Sequence, residues 1–141
     1  MPDVDPAVID ALAGVSLFAG LKKRQLATIA ESVRRTVHSP DNEVAVQGRG
    51  AFAFHIIVEG EASVRVGAKR RRPLHAGDYF GEISMIDGLP RSATVQAGPN
   101  GMITYALSRT VFLSLVEKDP TIARAVMVAL CARIRSSESD L

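Results

Sequence analysis

Tryptophan is absent, aromatic residues amount to five phenylalanines and two tyrosines, and cysteine occurs once, at Cys131. Aliphatic side chains must therefore fill whatever core the chain has. One cysteine excludes an internal disulfide. Its neighbours Ala129, Leu130 and Ala132 suggest a helix rather than a metal site, so a buried structural thiol is expected. No run approaches the roughly 20 apolar residues that span a bilayer. Asp3 and Asp5 stand where an export signal needs positive charge ahead of an apolar stretch. These absences lead us to expect a soluble cytoplasmic protein with no membrane partner. Charge of one sign is also missing: 17 Lys and Arg face 15 Asp and Glu, a net charge of +2. That is far from the dense positive face of a dedicated nucleic-acid binder.

What is present is a change of period, twice, along 141 residues, a length that suits one domain with its own core. Asp5 followed by Pro6 reads as an N-cap and a first helical position, with Val8, Ile9, Leu12 and Ala13 recurring at helical spacing up to Gly14. Leu17, Phe18 and Gly20 form a tight turn, and Leu21, Leu26, Ile29, Ala30 and Val33 predict a second helix from about Lys22 to Val33. From about Arg35 to Leu107 short β-branched and aromatic runs alternate with Gly, Pro, Asn and Asp. The clearest hairpin has one arm over Phe52–Val58, its turn at Glu59-Gly60, and its other arm over Glu61–Val66. Further turns are expected at Gly48–Gly50, Gly67-Ala68, Gly77-Asp78 and Gly98–Gly101. The helical period then returns, with Asp119-Pro120 as a break before a long amphipathic helix carrying Ile122, Val126, Leu130 and Ile134 and ending near Ser137. The predicted fold class is mainly β with flanking helices, a single domain divided into 1–33, a barrel-like 34–108 and 109–141.

One stretch breaks the strand rhythm: Phe80-Gly81-Glu82-Ile83-Ser84-Met85-Ile86-Asp87-Gly88-Leu89-Pro90-Arg91-Ser92-Ala93-Thr94-Val95. Glu82 to Ile86 has the length of one short helical turn, and Gly81 before it lets a ligand approach the backbone. The start of such a helix offers unpaired N–H groups and partial positive charge to an anion. Arg91, after a Gly-Leu-Pro turn, carries a planar fork that binds two phosphate oxygens at once. Glu82 would repel a phosphate, so it must face something else. A ribose hydroxyl fits, because an ionised carboxylate only accepts hydrogen bonds and the 2′-OH donates one. The plainer alternative is a surface Glu82–Arg91 ion pair of little energetic weight.

The stretch 80–95 resembles the phosphate-binding cassette of the cyclic nucleotide-binding domain family, with its Phe-Gly-Glu, loop, and Pro-Arg-small-Ala-Thr. The resemblance implies a β-roll with two closing helices. It also implies that Glu82 binds the ribose 2′-OH with the Gly81 backbone, that Ile83 and Ser84 offer N–H groups near the phosphate, and that Arg91 and Ser92 hold the phosphate. At the Ser92 position family members that prefer cAMP carry alanine or serine and many cGMP sites threonine, so cAMP is the expected ligand, with cGMP the other candidate. Ser137 falls near a position from which the family can meet the adenine. The implied mechanism is a switch in which the cassette shifts against the closing helices. An effector protein, or a homodimer through the last helix, is the implied partner.

Other clusters are expected to be structural. Lys69–Arg72 reads as a solvated hairpin edge. His38, His55 and His75 lie in separate segments without the close His-x-His pair and carboxylate of a metal oxygenase, so no metal is expected. There is no catalytic constellation of the Ser-His-Asp or Cys-His kind, so no enzyme and no cofactor are expected. No helix-turn-helix follows the last helix, which leads us to expect a sensor acting on another protein or a portion of a larger regulator, without a DNA-binding domain.

Overall fold

The computed structural model describes residues 4–45, 48, 53–90 and 92–139, without the side chains of 138 and 139. They form two compact units, one from 1–32 with 113–141 and one from 33–112.

The first unit is helical. Helix α1 (Pro6–Ala13) starts as its sequence dictates: the Asp5 carboxylate accepts a hydrogen bond from the Ala7 N–H at 2.9 Å, and proline occupies the first turn. A 3-10 turn at Ser16–Phe18 buries Leu17 and Phe18. Helix α2 (Lys23–Ala30) buries Gln25, Leu26, Ile29 and Ala30 and is shorter than predicted. It stops before Val33 because Arg34–His38 is recruited as strand β1, where β-branched Thr36 and Val37 are better accommodated. Helix α4 (Arg109–Lys118) ends in this unit. Asp119 then caps α5 (Pro120–Ser139), its Oδ1 accepting from the Thr121 N–H at 3.0 Å. The Thr121 hydroxyl, itself a donor to Asp119, accepts a hydrogen bond from the buried Gln25 amide. On α5, Ile122 and Val126 are buried while Met127, Val128 and Ile134 are exposed. Cys131 is exposed too, a correction to the buried thiol expected from its apolar neighbours: it sits on a part of α5 that leaves even large apolar side chains in solvent.

The second unit is an antiparallel β-roll. Its backbone is two long strands, β3 (Ala53–Val66) and β7 (Thr94–Ser108), paired from Ala53↔Ser108 to Arg65↔Thr94. Strand β1 and β2 (Glu43–Ala45) pair with β7, while β4 (Lys69–Arg70), β5 (Leu74–His75) and β6 (Tyr79–Phe80) pair with β3. Four consecutive residues of β3, Phe54 to Ile57, are buried, as expected where a sheet curls round and covers both faces of its own strand. Ala45, Ile57, Ala62, Phe80, Val95, Ala97 and Met102 form an aliphatic core with one aromatic ring.

The hairpin predicted at Glu59-Gly60 does not form. Strand β3 runs straight through, with register shifts between Ile57 and Glu59 and between Gly60 and Ala62. Gly60 has φ +90°, and a Cβ there would lie 2.6 Å from the Gly101 carbonyl oxygen. The glycine therefore serves a bulge in which two backbones touch, not a turn. Gly98–Gly101 likewise belongs to β7. The hairpin turn is at Gly67-Ala68, between β3 and β4. Of the remaining sequence expectations here, Phe52 and most of the Gly48–Gly50 turn fall outside the described residues.

Candidate functional site

Strand β6 delivers the chain to the cassette. His55↔Phe80 and Ile56↔Tyr79 register it on β3, after which Gly81 at φ +86° turns the backbone into helix α3 (Glu82–Asp87). A residue with a Cβ would resist that left-handed angle. The helix buries Ser84 and Met85, leaves Glu82 half-buried and exposes Ile83. It closes through Gly88 at φ +70°, whose N–H donates to the Ser84 carbonyl at 2.9 Å, and the Asp87 carboxylate accepts from the Leu89 N–H at 2.9 Å. Arg109, which opens α4, lays its guanidinium against this turn: a Cβ on Gly88 would stand 2.9 Å from its Cζ, Nε and Nη2. The Arg109 Nε is buried and has no hydrogen-bond partner among the described residues.

A cavity of about 510 Å³ opens beside α3. Of the residues singled out in the sequence, Gly81, Glu82, Ile83, Ser84 and Ser92 all line it. Arg91 lies outside the described residues. Ser137 is exposed in the last turns of α5 and is not part of this wall. The volume falls in the range of small-molecule sites. The lining combines polar groups, Glu82, Ser84 and Ser92, with the apolar Ala45, Val64, Leu74 and Val95. Such a cavity can hold an anion at the start of α3, a sugar hydroxyl at Glu82 and a flat apolar ring against the aliphatic wall. Arg71 and Arg72 also line it, which sequence reasoning missed. Only Lys69 and Arg70 belong to the hairpin edge; beyond them the Arg71 N–H donates to the Val64 carbonyl at 2.8 Å and draws the chain onto the wall. A larger depression of about 810 Å³ lies in the helical unit between the 3-10 turn and α5, but apart from Arg124, Arg133 and two hydroxyls its lining is small and apolar, without a carboxylate.

Behind β6 lies a buried polar group. His38 Nε2 and His55 Nδ1 stand 2.9 and 3.0 Å from the same hydroxyl, Thr104 Oγ1, which is fully buried. The His55 ring stacks on Phe80 with centroids 5.0 Å apart, directly before Gly81. Burial holds His38 below its ordinary value, as desolvation disfavours the charged ring. The two histidines are buried, and His75 is exposed, 3.7 Å from Glu61. Among the described residues no group of three His, Cys, Asp or Glu side chains is placed to hold a metal. No described helix is long and apolar enough to cross a membrane.

A β-roll that presents a glycine-started helical turn to a half-polar cavity is the architecture of a small-molecule-binding regulatory module. The family model described as cyclic nucleotide-binding domain matches residues 36–119, and the chain belongs to that family. It is 39% identical over 107 residues to a cAMP-dependent protein kinase regulatory subunit of Mycosarcoma maydis, an alignment covering 73% of this chain and 20% of that one. It is 30% identical over 101 residues to a cGMP-dependent protein kinase of Plasmodium berghei (strain Anka), covering 72% of this chain and 12% of the kinase. The chain thus spans a fifth or less of these two relatives. The N-terminal domain of a transcriptional regulator from Streptomyces coelicolor A3(2) superposes with a TM-score of 0.82 over 94% of both chains at 22% identity, a likeness of fold.

Proposed function

We propose that this chain is a non-catalytic sensor that binds a purine 3′,5′-cyclic nucleotide in the cavity beside α3 and passes the event to its C-terminal helices and an effector. The observation that carries the reading is the convergence of Gly81, Glu82, Ile83, Ser84 and Ser92 on one cavity of about 510 Å³. In it the phosphate sits on the first N–H groups of α3 and on Arg91, and Glu82 accepts the ribose 2′-OH. The contact of Arg109 with Gly88 supports the relay, since α4 begins against the turn that ends the cassette. A ligand drives such a change only through unequal affinity for two arrangements. The preference for cAMP expected from the sequence rests on Ser92 alone. Relatives that carry cAMP-dependent and cGMP-dependent in their names both match the chain, so kinship does not choose the base.

Calorimetric titration with cAMP and cGMP tests the reading, with Glu82→Ala and Arg91→Ala beside the native chain. Saturable binding at one site is expected, weakened roughly 30-fold or more by Arg91→Ala, since a charge-assisted bond to phosphate contributes about 2 kcal/mol or more. Unchanged affinity in that variant overturns the site assignment. Binding of neither nucleotide would leave a fold used for protein interaction.

A further inference from the structure

We propose that the groove between the 3-10 turn and α5 is a docking site for an acidic amphipathic helix of a partner protein. Both of its walls, residues 16–20 and α5, belong to the helical unit, and the inference does not depend on which ligand the β-roll takes. The groove has a volume of about 810 Å³, and Ala19, Gly20, Ala125, Val128, Ala129 and Ala132 line it. At the turn its walls come close together: a Cβ on Gly20 would lie 3.5 Å from that of Ala125. Along α5 the lining residues recur from Thr121 to Arg133 at intervals of three and one, which makes them one continuous stripe of the helix. The stripe is open to solvent, since Val128 within it is 62% exposed. An open apolar groove of this size marks a place for a partner.

The form and charge of the occupant follow from what the walls offer. Ser16 and Thr121 bring the only hydroxyls in the lining, and that of Thr121 is already engaged with Gln25 and Asp119. An extended segment laid against such walls would leave its backbone N–H and C=O groups without partners. A helix satisfies those groups internally and presents side chains alone. Small residues on the wall let its ridge of side chains sink in. The margins of the groove are cationic. Arg124 and Arg133 both line it, nine residues apart, which sets them about 13.5 Å apart along α5 and half a turn apart around it, one at each border of the stripe. No carboxylate stands in the lining. From Pro120 to Ser137 α5 has three arginines and no acidic residue, and Lys22-Lys23-Arg24 follows Gly20 and Leu21 in the chain. A helix with Asp or Glu on both borders of a narrow apolar face is complementary to this groove in charge as well as in form, and a basic one is repelled.

The test is titration of the whole chain, without added nucleotide, into two fluorescein-labelled helical peptides of about four turns, followed by anisotropy. Both peptides carry leucine and alanine on one face; glutamates border that face in one peptide and lysines in the other. We expect saturable binding of the glutamate peptide, at least about tenfold tighter than the lysine peptide, because like charges across an interface repel. Salt at about 0.5 M should weaken it severalfold. Val128→Glu should abolish binding of the glutamate peptide, and Arg124→Glu should narrow or reverse the order of the two peptides. Both side chains are exposed, and far-ultraviolet circular dichroism checks that the variants fold. No binding of the glutamate peptide, equal binding of the two peptides, or binding that survives Val128→Glu overturns the inference. A dimer of the native chain in sedimentation that Val128→Glu dissociates also overturns it, giving the groove to a second copy. Any of these failures leaves the sensor reading standing, since calorimetry with the nucleotides measures that site separately.

Discussion

Replacing Gly60 by alanine tests the account of how the roll is bent. Gly60 sits at φ +90°, and its Cβ would lie 2.6 Å from the Gly101 carbonyl oxygen and 3.1 Å from the Met102 Cα, both backbone atoms of β7. The left-handed angle costs an alanine about 1–2 kcal/mol. Relieving the contact requires β7 to move, and a backbone shift in a packed core adds about 1–3 kcal/mol. Strand β7 has little room to move, since a Cβ on Gly101 would itself be 2.9 Å from the His38 carbonyl oxygen. Together the two effects give a loss of about 3 kcal/mol. Gly67→Ala is the matched control: φ is +60° but no atom lies within 4 Å of the added carbon, so only the backbone angle counts, at about 1 kcal/mol. Urea denaturation followed by circular dichroism measures both. In thermal melts the two variants should fall by about 9 and 3 °C, using about 3 °C per kcal/mol for a chain of this size. Equal losses in the two variants refute the argument that backbone contact, rather than glycine's freedom alone, fixes residue 60.

The hydroxyl shared by His38 and His55 gives two further expectations. Thr104→Val keeps the shape but removes the hydroxyl that His38 Nε2 and His55 Nδ1 share, and should cost about 2–3 kcal/mol in the same denaturation assay; a loss below about 0.5 kcal/mol would show that the hydroxyl is dispensable. Acid should also weaken the fold. Because burial holds His38 below its ordinary 6.5, the unfolded chain takes up a proton that the folded chain refuses. Stability is complete above about pH 6.5 and declines below it, by at most about 1.4 kcal/mol per pH unit, until the folded-state value is reached. Urea midpoints measured from pH 7.5 to 5 should show this decline, and His38→Gln should flatten it; an unaltered slope in that variant would assign the proton uptake elsewhere.

The residues that were legible in the sequence act on their near neighbours. Asp5-Pro6 starts α1, Asp119-Pro120 separates α4 from α5, and Gly81 with the helix after it announces the cassette, because each signal is local to the backbone it shapes. Gly60 was legible as a glycine that needs positive φ but not as a bulge. A turn and a bulge ask the same of that residue, and the deciding atom, the Gly101 carbonyl, lies on the other long strand. The same limit hid Arg71 and Arg72: their run looks like a solvated edge until the bond from Arg71 to Val64 shows that the chain beyond β4 lies along the cavity. It also hid the function of the two buried histidines, which come together only through Thr104. The burial of Cys131 was misjudged for a related reason, since apolar neighbours along a helix do not say which of its faces is covered.

That exposed thiol gives the molecule one chemical address. A maleimide dye or spin label added to the native chain has a single place to go, on α5, so a spectroscopic probe can be set there without engineering any residue. The same fact governs handling: oxidation can link two copies through one bond but cannot build a chain of them, so in the absence of reductant a covalent band at twice the mass, and nothing heavier, is the form to look for on a gel.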